Sequence, residues 1–194
     1  MLESLRQPLE DHKITVSRAN GKFTFPANFL LVATMNPCPC GFLGDPEKTC
    51  TCSQNQILNY QKKLSGPLLD RIDLTVYVSR VPHEKLIDNS SSTKLQQETF
   101  LSEILHARSI QKDRYKCSSK YNSDIASSSV DKLTSISTPA KSFSVEAAKR
   151  LGLSTRSYFK VIKVARTIAD LDGSPSIEIP HIAESLQYRQ INIT

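Results

Sequence analysis

The sequence predicts a mixed fold, in which part of an α/β sheet domain over residues 1–80 is followed by an all-helical domain over residues 94–194. An apolar run of strand length, "FLLVATM", ends at Met35, and such runs are typical of strands buried on both faces of a parallel sheet. Two helical patterns and a second strand pattern follow, which is the order found in α/β sheets. Beyond residue 94 the apolar residues follow helical spacing.

The N-terminal residues form a pattern that starts without a cap. "LESLRQPLED" predicts an amphipathic helix already under way, with Leu2, Leu5 and Leu9 at spacings of three and four. No glycine-rich phosphate loop or other nucleotide-binding fingerprint occurs in the 194 residues. We therefore expect this chain to be a portion of a longer protein.

Residues 13–26, "KITVSRANGKFTFP", predict a β-hairpin. Two alternating runs flank Asn20-Gly21, a dipeptide that favours a two-residue type I′ turn. The pairs predicted from this turn are Ala19 with Lys22, Arg18 with Phe23, and Val16 with Phe25. One face then carries the apolar residues Ile14, Val16, Phe23 and Phe25. Arg18 and Lys22 are expected near the tip.

The strand predicted over residues 29–35 delivers Asn36 at its C-terminal end. Ligands of open α/β sheets bind at that edge, so the polar side chain of Asn36 is well placed to contact a ligand. After a cysteine-rich loop, Ser53 and Gln56 have capping-box spacing at the start of a helix. Pro67 opens a short helix, and a strand is predicted over residues 74–78.

The second half is predicted to be helical. Residues 81–93 read as a polar linker, and residues 94–114 as one long helix. "SSKYNSDIASSS" is interpreted as a low-complexity break without core-forming residues. Three further helices are predicted at 144–151, capped by Ser144, at 155–171, and at 180–189, opened by Pro180. The apolar face of the second of these comprises Val161, Ile162, Val164, Ala165, Ile168 and Leu171.

Composition narrows the class of protein. Hydrophobic residues make up 39% and charged residues 23%, as in a folded globular protein. No apolar run reaches the ~18 residues of a membrane span, and the charged N-terminus has no signal-peptide core. We expect a cytoplasmic protein that does not enter the membrane. The net charge of +6 is compatible with a polyanionic partner but does not establish one.

Four of the five cysteines lie within fifteen residues, as the pairs Cys38/Cys40 and Cys50/Cys52. Four thiolates on one loop can supply a tetrahedral site for structural Zn²⁺. The C-x-C spacing is less diagnostic than C-x-x-C, so an ordinary reduced loop is the alternative, and a disulfide is the least favoured. Cys117 is expected to have no role.

Single polar residues carry little information on their own. Asn36 could simply end a strand, Arg71 in "LLDRID" could pair with Asp70 or Asp73, and Arg156 could be a first-turn helix residue. Lys163 and Arg166 could belong to a solvated basic face. Any functional role for these residues depends on whether they belong to one site.

Four long stretches of the sequence suggest that these residues belong to one site: "LESLRQPLEDHKITVSRANGKFTFPANFLLVATMNPCPCGFLGDP", "LSGPLLDRIDLTVYVSRVP", "LGLSTRSYFKVIKVARTIADL" and "IPHIAESLQYR". They resemble the magnesium-chelatase-like AAA+ proteins of the YifB/ComM family. The resemblance covers the chain except for residues 86–140. It implies the C-terminal half of an AAA+ P-loop-type α/β core over 1–80, with a pre-sensor-1 hairpin and the four-cysteine loop, and a helical lid over 94–194.

The resemblance also implies roles for individual residues. Asn36 matches sensor 1, which contacts the nucleotide γ-phosphate or its attacking water. Arg71 matches the arginine finger that reaches the neighbouring subunit's nucleotide. Arg156 matches the sensor 2 arginine of the lid. The hairpin would point toward the pore of a ring, which makes Arg18 and Lys22 candidate DNA contacts; a solvated hairpin is the alternative.

At the level of function, the resemblance implies a ring-forming, hexameric ATPase that uses ATP and Mg²⁺ to move DNA during uptake and recombination, as in competence. Two alternatives are the motor subunit of a magnesium chelatase and a non-enzymatic, zinc-stabilised interaction module. The Walker A and Walker B motifs of that family are absent from these 194 residues. We therefore expect this chain alone neither to bind ATP tightly nor to hydrolyse it.

Overall fold

The computed structural model describes residues 2–79, 81 and 92–189. The chain divides into two compact units, one with bounds Met1–Ile72 and Val78–Arg80, the other with bounds Asp73–Tyr77 and Val81–Thr194. The predicted linker 81–93 lies almost wholly outside the described residues, apart from residue 81 and the start of the helix that follows. Among the described residues, no helix combines the length and apolar character that a membrane crossing requires.

The first unit contains short helices and one hairpin. Its elements in chain order are a 3₁₀ turn (Leu2–Leu5), α1 (Arg6–Asp11), β1 (Lys13–Arg18), β2 (Gly21–Pro26), α2 (Gln54–Gln61) and α3 (Gly66–Leu69). The predicted capping box is confirmed: Ser53 accepts from the amide of Gln56, whose side chain accepts from the amide of Ser53. Pro67 lies in the first turn of α3, as predicted.

The hairpin forms, but its register differs from the predicted one. Arg18 pairs with Gly21, Val16 with Phe23, and Ile14 with Phe25. The two loop residues are therefore Ala19 and Asn20, one position earlier than expected. Gly21 ends the loop with φ +143°, a value that favours glycine and explains why it closes the turn. The shared apolar face is confirmed, because the apolar residues of the two strands are directly opposite.

The two sheet strands predicted after the hairpin are not strands in the structure. Residues 27–36 and 74–79 run without helix or strand assignment, and β1 with β2 is the only sheet among the described residues. Leu30, Val32, Val76 and Val78 are exposed. A buried strand needs neighbours that supply ladder hydrogen bonds, and no described segment pairs with these two. Within the second unit, the amide of Thr75 instead donates to the carbonyl of Tyr188 over 2.8 Å.

The second unit is helical, as predicted. Its helices are α4 (Ser92–Tyr115), α5 (Val130–Leu133), α6 (Thr138–Arg150), α7 (Thr155–Leu171) and α8 (Ile179–Gln187), with 3₁₀ turns at Asn122–Asp124 and Ser127–Ser129. Ser154 caps α7 through the amide of Ser157. Gly173, with φ +66°, ends α7 in a Schellman motif, where Ser174 donates to Ala169 and Gly173 donates to Asp170.

The predicted start of α6 is wrong. The helix begins at Thr138, capped by Ser137 and with Pro139 in its first turn. Ser144, the predicted cap, lies buried within the helix and donates to the carbonyl of Lys141 over 2.8 Å. Serine followed by a residue and then proline is itself a helix-start signal, and it precedes Ser144 by seven positions.

The core of this unit is one apolar cluster packed around α7. Its buried members are Ile125, Val130, Ala140, Val161, Ile162, Ala165, Ala169, Ile177 and Ile182. Two expectations need correction. Leu171 is exposed, and the supposed low-complexity break contributes the fully buried Ile125. A single apolar residue among serines therefore anchors that segment to the core.

Arg166 does not lie on a solvated face, because its side chain is fully buried beside the equally buried Asp170. Its guanidinium donates to Asp170 and to the carbonyls of Thr134, Ser174 and Pro175, at 2.6–3.1 Å. Asp170 also pairs with Arg114 and accepts from Asn122 over 2.9 Å. Although burial favours the neutral acid, these partners hold the pKa of Asp170 below its usual range.

Candidate metal centre and functional residues

Tight turns bring the two cysteine pairs together. The amide of Gly41 donates to the carbonyl of Cys38 over 3.1 Å, and Gly41 has φ +84°, a region that suits glycine. Asp45 closes the next bend, because its Oδ1 accepts from the amides of Glu47 and Lys48 at 2.8 and 2.9 Å. The chain thus turns back so that Cys50 and Cys52 face the first pair.

The four sulfur atoms form a compact cluster. The Sγ atom of Cys38 lies 3.4 Å from that of Cys40 and 3.6 Å from that of Cys50, and the Cys40–Cys50 distance is 3.5 Å. All four ligand atoms, with Cys52, lie within 4.8 Å of one another. A tetrahedral site with Zn–S bonds of ~2.3 Å has sulfur–sulfur edges of ~3.8 Å. The spacing therefore fits one metal ion.

The surroundings of the sulfurs favour charge on part of the cluster. Backbone amides of Phe42 and Thr51 hydrogen-bond to Cys40 and lower the pKa of its thiol to about 5. For Cys50, the amide of Cys52 favours the thiolate, but burial and the neighbouring Cys40 and Cys38 together raise its pKa to about 12. Thiols this close do not all lose their protons on their own, because each thiolate disfavours the ionisation of its neighbours. A divalent cation supplies the positive charge that lets all four ionise.

The cysteine cluster can hold a metal ion. None of the five cysteines, all within the described residues, forms a disulfide. Cys38 is fully buried and the other three cluster members are half-buried. Four thiolates would complete a tetrahedral shell without an open position, which is the arrangement of structural rather than catalytic zinc. Cys117 is remote in sequence and exposed, beside Ser119.

Asn36 lies against the cysteine loop. A Cβ atom placed on Gly41 would stand 3.9 Å from Nδ2 of Asn36, so the carboxamide packs over the glycine. Pro37, which joins Asn36 to Cys38, accepts a hydrogen bond of 3.2 Å from Nε2 of Gln61 on α2. The predicted sensor residue and the predicted metal ligands thus belong to one local assembly.

Arg71 occupies a more enclosed position than a solvated helix end. Its Nε donates to the carbonyl of Arg6 over 3.0 Å and its Nη1 to that of Pro67 over 2.7 Å. Its Nη2 pairs with Glu10, and only 13% of the side chain is exposed. Glu10 on α1 is therefore a carboxylate partner of Arg71 that the sequence did not indicate.

Arg156 and the hairpin cations are exposed. Arg156 is the second residue of α7, in the second unit. Arg18 and Lys22 both lie near the hairpin tip, as predicted. The observed register places them on opposite faces, because Arg18 aligns with the apolar face while Lys22 pairs with Ser17 on the polar one.

Sequence reasoning missed two features. Gln61 gave no signal, because its partner is a backbone carbonyl 24 positions earlier. The Arg166–Asp170 pair did give one: two opposite charges four residues apart within the apolar face of α7. Such a pair inside an apolar stripe indicates a buried ion pair rather than a basic surface.

Comparison with known proteins identifies the class. The family model described as "Magnesium chelatase, subunit ChlI" matches residues 1–86, and its C-terminal counterpart matches residues 94–189. The chain therefore belongs to the magnesium-chelatase-like family.

Within that family, the chain is similar to proteins named ComM and YifB. Competence protein ComM of Haemophilus influenzae is 40% identical over 190 residues, which are 97% of this chain and 36% of ComM. The Escherichia coli protein YifB is 34% identical over 195 residues, covering 98% of this chain and 37% of YifB. The chain thus spans little more than a third of the length of these relatives.

Proposed function

We propose that this chain forms the sensor and lid portion of an AAA+ ATPase that works as a hexameric, ATP-driven DNA motor. The observation that carries the proposal is the 40% identity, over 97% of the chain, to a relative named competence protein. In this proposal the cysteine cluster holds a structural Zn²⁺, and ATP with Mg²⁺ binds in the longer protein.

Three residues would serve the nucleotide. Asn36 would orient the attacking water or contact the γ-phosphate, held in place by the loop on which it packs. Arg71 would act as the arginine finger of the neighbouring subunit; its guanidinium would exchange Glu10 for a phosphate, since both are anionic partners of the same fork. Arg156 would couple the lid to the phosphates. Arg18 and Lys22 would contact the DNA backbone.

The test is ATP hydrolysis by the full-length protein with and without single-stranded and branched DNA. We expect DNA-stimulated turnover and unwinding of branched substrates. Removing an arginine finger costs roughly 10³-fold or more in kcat, so Arg71→Ala should abolish stimulated turnover while leaving nucleotide binding in place. DNA-independent turnover, or metal-dependent hydrolysis by this chain alone, would contradict the proposal.

A second candidate is the motor subunit of a magnesium chelatase, which the description of both matching family models favours. It predicts ATP-dependent insertion of Mg²⁺ into a porphyrin once partner subunits are supplied. The two candidates separate in one comparison, because only the first predicts that DNA raises the rate of ATP hydrolysis.

A further inference from the structure

The hairpin carries an exposed apolar face that no described residue covers. Phe23 and Phe25 of β2 are 51% and 54% exposed. Their cross-strand neighbours Val16 and Ile14 are also exposed. Removing apolar surface from water is favourable, so the exposure of this face on a two-stranded ribbon calls for an occupant.

The charge of the same hairpin indicates what that occupant is. Residues 13–26 contain Lys13, Arg18 and Lys22 and no acidic residue. Arg18 aligns with the apolar face, and a Cβ placed on its pairing partner Gly21 would lie 3.9 Å from the ring of Phe23. The Phe23 ring therefore lies beside Gly21, opposite Arg18 in the register, and the hairpin carries no carboxylate that would repel an anion.

The spacing of the rings suits stacked bases. Phe23 and Phe25 are two residues apart on one strand, so they share a face at a separation of ~6.8 Å. That equals two of the ~3.4 Å intervals between bases along one strand of a duplex. Bases offer flat apolar surfaces only where they are unpaired, and proteins that hold single strands combine aromatic platforms with cations for the backbone.

We propose that this hairpin face is a stacking platform for the bases of single-stranded nucleic acid, with Phe23 and Phe25 as the stacking rings and Arg18 as the phosphate contact on the same side. The inference rests on the proposed DNA-motor function and narrows it from DNA in general to unpaired strands. Arg18 is the one charged residue of the hairpin on the face of the rings, and no acid accompanies it, a combination that suits an anionic strand with exposed bases rather than an apolar protein surface or a second copy of the chain.

The experiment measures the binding of this chain to a fluorescently labelled oligo-dT of about 20 nucleotides, and to a duplex of equal length, by anisotropy at several salt concentrations. Phe23→Leu and Phe25→Leu keep an apolar side chain but remove the ring. We expect each to weaken binding of the single strand at least about fivefold, with the salt dependence unchanged. Phe100→Leu, at an exposed phenylalanine on α4, is the matched control and should have no effect.

A second measurement uses the absence of tryptophan from the chain. Phe23→Trp introduces a single indole at the platform, and stacking on a base should quench its fluorescence as oligo-dT is added. Quenching supports the platform. An unquenched indole in a variant that still binds the oligonucleotide overturns it.

The outcomes separate this inference from the function on which it rests. No binding of either DNA by the unaltered chain contradicts the DNA-motor proposal itself. Unchanged single-strand affinity in Phe23→Leu/Phe25→Leu, or equal losses for single strand and duplex, overturns only the stacking platform. Loss of a dimer in those variants, seen by sedimentation, would overturn it in favour of a second copy.

Discussion

The carbonyl oxygen of Pro37 accepts a hydrogen bond of 3.2 Å from Nε2 of Gln61. This contact ties the start of the cysteine loop to α2, which begins just after the last cysteine, at Gln54. Asn36 and Cys38 flank Pro37 in sequence, so one side chain on α2 restrains both the proposed nucleotide sensor and the first proposed metal ligand. A loop closed at both ends is pre-organised, and its ligands lose less entropy when they bind a metal ion.

Gln61→Ala should therefore weaken zinc binding by up to about tenfold, the lower end of the effect of outer-shell partners. The measurement is competition with a chromophoric chelator of known zinc affinity. Gln54→Ala, at an exposed position on the same helix, controls for the loss of a glutamine. Equal affinities in the two variants would show that the Pro37 contact does not support the site.

The arrangement of the four cysteine sulfurs predicts that each chain binds one Zn²⁺ ion. Replacement of a ligand, as in Cys50→Ser, should cost more than the ~10- to 100-fold loss caused by an outer-shell change. Affinity should rise between about pH 6 and pH 8, because the ion displaces protons from thiols such as Cys50, whose pKa is about 12. Zinc content after gel filtration, and the sulfur-to-metal absorption of the Co²⁺ form, report occupancy.

Cys117→Ser is the matched control for that prediction, since Cys117 is exposed and lies outside the cluster. It should leave zinc content unchanged. The same zinc content in Cys50→Ser and Cys117→Ser would contradict a site built on the four clustered thiols.

Most helices and the capping box of α2 could be predicted because their signals are local, although the start and cap of α6 were not. Ser53 with Gln56, and the apolar spacing from Val161 to Ile168, involve residues within one or two turns. The run ending at Met35 could not be assigned in the same way. A strand exists only with a partner, and apolar composition does not say whether a partner segment is present.

The same distinction holds for the candidate site. The cysteine cluster was predictable because four cysteines lie close together on one loop, and its geometry is compatible with a metal ion. The environment of Arg71 was not, because Glu10 lies 61 positions earlier in the chain. The hairpin register was missed by one position, since Gly21 can end a two-residue loop as well as lie within it.

Arg71 should contribute to the stability of the first unit whatever its role with nucleotide. Its guanidinium satisfies the carbonyls of Arg6 and Pro67 and pairs with Glu10. Arg71→Ala removes hydrogen bonds from a largely enclosed cation, and we expect the free energy of unfolding to fall by about 1–3 kcal/mol. Chemical denaturation followed by circular dichroism measures it.

Arg150→Ala is the comparison for this variant, because Arg150 also pairs with a glutamate but is 78% exposed. A surface pair of this kind is worth about 0.3–0.5 kcal/mol. If both variants shift stability equally, the enclosed contacts of Arg71, including its pair with Glu10, add nothing beyond a surface ion pair.

Asp170 should be the most sensitive single position in the helical unit. Its carboxylate is buried between the guanidiniums of Arg166 and Arg114 and accepts from Asn122. Asp170→Asn leaves the fully buried Arg166 without its counter-charge, which should lower the free energy of unfolding by about 3–5 kcal/mol. The exposed Asp113 on α4 supplies the control, and Asp113→Asn should stay within about 0.5 kcal/mol of the parent chain.

The pH dependence of this stabilisation follows from the lowered pKa of Asp170. A carboxylate whose pKa is lower when folded stabilises the fold above its unfolded value, near the ordinary 3.8, and loses that contribution as pH falls through the folded value. Urea denaturation at about pH 7 should therefore separate Asp170→Asn from the parent widely, and the gap should narrow as the pH is lowered below about 4. A gap that stays constant with pH would mean that packing at this position, rather than the charge of Asp170, holds α7 to its neighbours.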